Sequence, residues 1–409
     1  MFGFVRIGRP ATPRPRCALS IEFARPVYIA GVAETALGEV HDQTELSMVA
    51  LAAREALREA GLRIRDVDGV FVNYMGEQGS VQVGEYLGLE PRYADSSDLG
   101  GAAFEAFVHH AMLAVAAGRC EVALIAYASR QRSKRARRVA ASGSGTSVYG
   151  PDPFHLTEQF MSPYGAPSPI GAFALMAARH MHEYGTTREQ LAEVAVAASH
   201  WAALNPKAWR QEPLTAEDVL GSRPISDPLH RHDCCLVTDG GGVVVVTHRD
   251  RARDARSTPI RVLGAGEGHS YWHVSEARDI TRTAGYQAAA DAFGMAGVTA
   301  RDVDVLEPYD AFTINVIMHL EELGFCGPGE GGAFVEGGAL RPGGALPSLT
   351  SGGGLSYCHP GALGVLLLIE AVRQLRGEAG PRQVPDARIA VAHGVGGISV
   401  RSTVVLGVD

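Results

Sequence analysis

The sequence predicts an α/β protein in which one unit is written twice. Two observations carry this. Helix-length stretches rich in Ala and Leu alternate with short, wholly apolar runs, the pattern of strands covered on both faces by helices. Residues 56–68 also match residues 292–304 at seven of thirteen positions, at a constant offset of 236, and self-similarity at a fixed offset marks a repeated structural unit.

Each copy has an alanine-rich helix stopped by a glycine (Gly61, Gly297), then an Asp suited to a turn, then an apolar strand (70–72 and 305–306). Helix 102–117 ends at Gly118 and feeds strand 121–126. Helix 362–376 ends at Gly377 and leads to strand 388–392. Late in each half comes a β-branched run, 243–246 and 400–406. The segment 249–256 is charged, with alanine its sole apolar residue type, so the seam between copies falls near 250–260. The expected halves are 26–255 and 256–409. Residues 1–25 hold five arginines and three prolines without an apolar core of signal-peptide length, and read as a flexible tail.

Composition narrows the function. Hydrophobic residues make up 46% and charged residues 20%, a globular balance. No run reaches the 18 or so apolar residues of a membrane-spanning helix. A net charge of −8 argues against a general nucleic-acid binder. The six cysteines form no C-x-x-C pair, which suits free thiols in a reducing cytoplasm. His232-Asp-Cys-Cys235 would put alternate side chains on opposite strand faces, so no metal site is expected. Glycine is in excess, 49 residues, with fourteen of them between Gly324 and Gly364.

Five segments then appear in a telling order: 180–207, with His180-Met-His-Glu-Tyr-Gly and Asn205-Pro-Lys207; Asp233-Cys-Cys-Leu-Val-Thr-Asp239 followed by three glycines; Glu307-Pro-Tyr-Asp-Ala-Phe312; Ser351-Gly-Gly-Gly-Leu-Ser-Tyr-Cys-His-Pro-Gly361; and His393-Gly-Val-Gly-Gly397. Together they resemble the thiolase superfamily, in particular the sterol-carrier-protein-type thiolases, from about residue 27 to the C-terminus. The resemblance implies two βαβαβαββ halves stacked as five layers (α-β-α-β-α). It also implies acyl-CoA substrates, with coenzyme A entering as part of the substrate and no tightly bound cofactor, and a homodimer.

One part is missing. A thiolase needs a cysteine at the N-terminus of its buried first-half helix, where the helix dipole favours the thiolate. Here that region reads Asp95-Ser-Ser-Asp-Leu-Gly-Gly-Ala-Ala-Phe104. Counting back from Gly118 puts the vacated position near Gly101; matching a Cys-x-x-Gly motif puts it at Asp98. Cys120 lies beyond the far end of the helix. The lost cysteine, Gly100-Gly-Ala-Ala-Phe104 and Tyr127-Ala-Ser-Arg-Gln-Arg-Ser133 resemble the aldolase branch, which cleaves β-hydroxyacyl-CoA side chains by retro-aldol chemistry. That branch implies a small partner bearing an OB-fold and often a zinc ribbon. His359-Pro360, by contrast, keeps the thiolase histidine loop.

A retro-aldol step needs a base for the β-hydroxyl, stabilisation of the thioester enolate, and an acid for the α-carbon. It needs no acyl-enzyme. The candidates are Tyr309, which stands where the family has Asn or His, with Tyr357, His359 and His393. Glycines Gly353, Gly354, Gly396 and Gly397 are candidates for close backbone approach to the substrate. The run 130–138 carries six positive charges, and Arg130, Arg132, Lys134 and Arg135 are candidates for the CoA phosphates. A Gly/Ser/Pro-rich stretch follows, so 130–170 reads as a lid-like loop. Asp310 is expected to cap a helix over 311–322. Alternatives are a thiolase-type acyltransferase using Ser96, Ser97 or a partner's nucleophile, and a non-catalytic acyl-CoA or lipid carrier or scaffold.

Overall fold

The apolar runs form one nine-stranded sheet in a computed structural model of the chain, which describes residues 25–134, 156–164 and 169–409. The first half contributes β1 (Val27–Glu34), β2 (Gly69–Val72), β3 (Tyr93–Asp95), β4 (Val122–Ser129) and, after a small hairpin of β5 (Pro224–Ser226) and β6 (Leu229–His230), β7 (Gly240–His248). The second contributes β8 (Ile260–Gly268), β9 (Val305–Pro308), β10 (Ile389–Gly396) and β11 (Val400–Gly407). The order is β3-β2-β4-β7-β1-β8-β11-β10-β9. The halves join where β1 pairs antiparallel with β8, at Tyr28 with Arg261 and Ile29 with Ile260.

The helices make the layers. α1 (Glu45–Glu59) and α2 (Gly79–Leu87) pack on the first-half strands. α3 (Ala103–Ala116) touches β4 and β7 but also β8, β10 and β11, so it lies between the two halves of the sheet. The loop region between β4 and β7 holds α4 (Pro169–Tyr184) and α5 (Arg188–Ala203). α6 (Gly285–Ala296) covers β8 and β11, and α7 (Thr313–Glu322) packs beside it. α8 (Gly364–Arg376) touches β1 and β7 as well as β9 and β10, and shares the central layer with α3. This is the α-β-α-β-α stack of the expected thiolase-type fold. No described helix is long and apolar enough to cross a membrane.

Two features depart from the expected pattern. The third strand of the second-half pattern is reduced to an isolated parallel bridge between Leu306 and Ser348. Many glycines serve packing. A Cβ on Gly264, Gly266 or Gly268 of β8 would come within 2.2, 2.2 and 2.1 Å of the Ala292, Ala288 and Ala284 carbonyls, so α6 rests directly on the strand backbone. In the 324–364 stretch, a Cβ on Gly331 would meet the Ile317 carbonyl at 2.5 Å, and one on Gly352 would meet Ala202 Cβ at 2.7 Å.

Candidate active site

The first turn of α3 grows out of a short 3-10 turn, Gly100–Ala102. Gly100 has φ +61°, and a Cβ there would lie 2.8 Å from Gly396 Cα. At Gly101 a Cβ would lie 2.5 Å from the Tyr309 ring, 2.6 Å from its hydroxyl and 2.6 Å from the Val395 carbonyl. Gly101 is buried and Asp98 is exposed. The buried helix start therefore faces the candidate site at Gly101, and a tyrosine ring fills the space a side chain there would take.

Tyr309 follows β9, and its backbone N–H donates to the His393 carbonyl at 2.9 Å. Its hydroxyl lies 3.1 Å from His359 Nε2 and accepts the Leu363 N–H at 3.1 Å. Leu363 caps the N-terminus of α8, so that N–H lies at the positive end of a helix dipole. Burial lowers His359 to about 4, so its ring is neutral near pH 7. Burial, with Cys235 adding to it, pushes the Tyr309 phenol well above its usual range. The pair is thus a neutral phenol against a neutral imidazole. In the tautomer with Nε2 unprotonated the O–H donates to Nε2, while the Leu363 N–H supports any charge left on oxygen.

The loop bearing His359 is held on several sides. Gly353–Tyr357 forms a π-helical turn. Asp310 accepts the Gly354 N–H at 2.6 Å and the Leu355 N–H at 3.0 Å. Arg210 Nη2 donates to the Leu355 carbonyl at 2.7 Å, and Thr238 Oγ1 accepts the His359 N–H at 2.9 Å. Burial raises Asp310 to about 6 against the pull of its two backbone donors.

Two sequence expectations change here. Asp310 is not the helix cap: α7 begins after Phe312, whose N–H donates to Asn315 Oδ1 at 3.0 Å. Nor is the Gly354 N–H free for a substrate, because it is spent on Asp310; a Cβ on Gly353 would lie 2.2 Å from that carboxylate. Gly396 and Gly397 likewise approach protein groups, the Leu99 carbonyl and the Trp272 ring, at 1.8 and 2.2 Å from a built Cβ.

Of the four expected catalytic side chains, the structure brings two together. Tyr357 points to Glu34, donating to Oε1 at 2.5 Å, beside the Arg373–Glu34 ion pair at 2.9 Å. Against the burial that would raise it, Arg373 and Lys207 hold Glu34 down to about 2. His393 also turns away from His359: its Nδ1 lies 2.8 Å from Thr403 Oγ1 and its Nε2 3.3 Å from Glu322 Oε2. Strand alternation puts His393 on the face of β10 that meets α7.

The three described basic candidates already have partners. Arg130 Nε donates to the Val40 carbonyl at 3.0 Å and Arg132 Nε to Glu39 at 3.0 Å. Arg132 also stacks 4.5 Å over Trp209, and Lys134 pairs with Glu45 at 2.5 Å. Arg135 and most of the expected lid, like all but the last residue of the 1–25 tail, lie outside the described residues. Ser97 donates to Asp95 Oδ1 at 2.7 Å, and that carboxylate is also held by His110 at 2.6 Å.

One buried acid escaped the sequence reading. Glu105, in the first turn of α3, has two carboxylate oxygens without a hydrogen-bond partner. A Cβ at Gly364 or at Gly394 would lie 2.4 Å from its Oε2, so these two glycines leave the room it occupies. Burial raises Glu105 to about 8, and it is a neutral acid near pH 7.

Residues 266–408 match a family model described as thiolase C-terminal domain-like. An acetyl-CoA acetyltransferase of Methanothermobacter thermautotrophicus is 35% identical over 385 residues, covering 91% of this chain and 97% of the relative. A steroid side-chain-cleaving aldolase of Thermomonospora curvata is 34% identical over 400 residues, covering 93% and 97%. A solved structure, the Ltp2-ChsH2(DUF35) aldolase, superposes with a TM-score of 0.84 at 32% identity, covering 94% of this chain and 98% of that one. With its layered fold and its likeness to these relatives along nearly their whole length, the chain belongs to the thiolase superfamily, in the sterol-carrier-protein-type branch.

Proposed function

We propose that this protein cleaves a β-hydroxyacyl-CoA by a retro-aldol reaction, releasing a ketone or aldehyde and a shorter acyl-CoA. The observation that carries the reading is the seat at Gly101. It has no thiol, and its space is filled by a phenol bonded to a neutral imidazole. The similarity to a steroid side-chain-cleaving aldolase and to a solved aldolase structure supports the same chemistry.

The steps follow from the residues. The substrate β-hydroxyl gives its proton to the Tyr309 oxygen as the phenol passes its own proton to His359 Nε2. The Leu363 N–H steadies the charge that develops on the phenol oxygen. The Cα–Cβ bond breaks, its electron pair moves into the thioester enolate, and the β-carbon leaves as a carbonyl. The proton on His359 then returns through Tyr309 to the α-carbon. Coenzyme A serves as the handle of the substrate, and no tightly bound cofactor enters. Asp310 acts by holding the His359 loop.

The working form in this reading is a homodimer in the cytoplasm, joined by a small OB-fold partner with a zinc ribbon. The solved aldolase named for Ltp2 together with ChsH2(DUF35) supports a two-component assembly. The test is to incubate the chain, alone and with such a partner, with a panel of β-hydroxyacyl-CoA thioesters and to measure both products. Intact thioesters throughout refute the reading. A covalent acyl adduct by intact mass, with no carbonyl product, would favour acyl transfer, the activity named for the archaeal relative.

A further inference from the structure

Behind β10, on the face turned away from Tyr309, three buried side chains converge. His319 and Glu322 lie three residues apart on α7, hence on one face, and His393 meets them from β10. One donor atom from each lies within 4.8 Å of the other two. All three are closed to solvent.

The surroundings are built as those of metal ligands are. Thr403 Oγ1 engages His393 Nδ1 at 2.8 Å, which leaves Nε2 facing the cluster. Thr283 Oγ1 donates to Glu322 Oε1 at 2.5 Å, leaving Oε2 toward His393. Such outer partners orient ligating side chains. His319 supplies an independent sign, because neither of its ring nitrogens has a hydrogen-bond partner although the ring is wholly buried. A buried imidazole with both nitrogens unsatisfied calls for a ligand, an ion or a water.

We propose that His319, Glu322 and His393 bind one divalent transition metal of the zinc class, with a water or hydroxide as fourth ligand. Two imidazoles and one carboxylate form a donor set that suits Zn²⁺ or Co²⁺ and not Mg²⁺ or Ca²⁺. Arg401 works against the cation: its Nε lies 3.4 Å from Glu322 Oε2. Its Nε and Nη2 have no hydrogen-bond partner, however, so the guanidinium has donors left for a hydroxide, which would offset part of the added charge. Tyr309 donates its backbone N–H to the carbonyl of His393, so a metal here would brace the strand that seats the catalytic phenol without touching substrate. The ligands come from distant segments, which is why no spacing motif announces them.

The test is titration of the full-length, chelator-treated chain with Zn²⁺ and with Co²⁺. The expected result is one ion per chain, a visible Co²⁺ d–d spectrum and a Tm higher by several degrees. His319→Gln should stay folded by circular dichroism and lose most of the uptake, and Arg401→Met should bind more tightly than wild type. No uptake and no Tm change in the folded wild type would overturn the proposal. Uptake unaltered in both His319→Gln and Glu322→Gln would overturn it too. If His319→Gln fails to fold, the wild-type Co²⁺ spectrum decides alone, since a featureless spectrum is incompatible with a buried site of two nitrogens and a carboxylate.

Discussion

The Tyr309 phenol occupies the space that any side chain on Gly101 would need, since a Cβ there would fall 2.6 Å from its hydroxyl. Residues at the start of α3 and the end of β9 thus exclude each other. A side chain at the helix start would compete with the tyrosine ring and also with the Val395 carbonyl, 2.6 Å from the same Cβ, and this chain carries the tyrosine.

This exclusion is measurable. Gly101→Cys should destabilise the protein by about 1–3 kcal/mol through overpacking. Tyr309→Asn should lose ring packing. The double variant should be more stable than the sum of the two changes by about 1–2 kcal/mol, read from denaturant unfolding as a double-mutant cycle. Simple additivity would place the two residues out of contact.

Asp310 should matter to activity without touching substrate. Asp310→Ala leaves the Gly354 and Leu355 N–H groups buried without an acceptor. A loss of about 2–3 kcal/mol in unfolding free energy is expected. Because the His359 loop slackens, kcat should fall more than KM rises.

The pH profile should reveal a base far below the ordinary histidine range. His359 is lowered to about 4 by burial, so it stays neutral, and competent as a base, down to that pH. The acid limb of kcat/KM is expected near pH 4 if the protein is still folded, in place of pH 6.5. The same shift works against stability. The unfolded chain takes up the proton first, so this contribution is complete above pH 6.5 and is lost as pH falls toward 4.

Glu105 acts in the opposite direction. Its folded-state value is raised by burial to about 8, so the unfolded state releases the proton first as pH rises. Stability from this group is full below about 4.5 and declines up to about pH 8, by at most about 1.4 kcal/mol per pH unit. Glu105→Gln should flatten that decline, as read from Tm against pH. An unchanged slope would mean that Glu105 does not titrate in this window.

Much of this was legible in the chain. The repeat at 56–68 and 292–304, the glycine-stopped helices and the apolar runs mark the strands and helices that form, because local periodicity determines them. That Tyr309 and His359 share one cluster was legible through their motifs. His393 and Tyr357 turn away from that pair for a common reason. Their motifs fix the backbone position, but which way the side chain turns depends on Glu322 and Glu34, partners distant in sequence. Asp310 reads as a helix cap from its neighbours alone, and only the folded loop shows that it holds Gly354 and Leu355. The glycines between 324 and 364 suggest a substrate-facing backbone, whereas several of them make room for Ile317, Ala202 and Asp310.

The most direct test is the turnover of a β-hydroxyacyl-CoA by Tyr309→Phe, with the partner protein present and with folding checked by circular dichroism. In the proposed reaction the phenol hydroxyl is the group through which the proton passes to His359. Loss of it should lower kcat by about 10²–10⁴-fold with KM little changed. A folded Tyr309→Phe protein that cleaves the thioester at the wild-type rate would contradict the account.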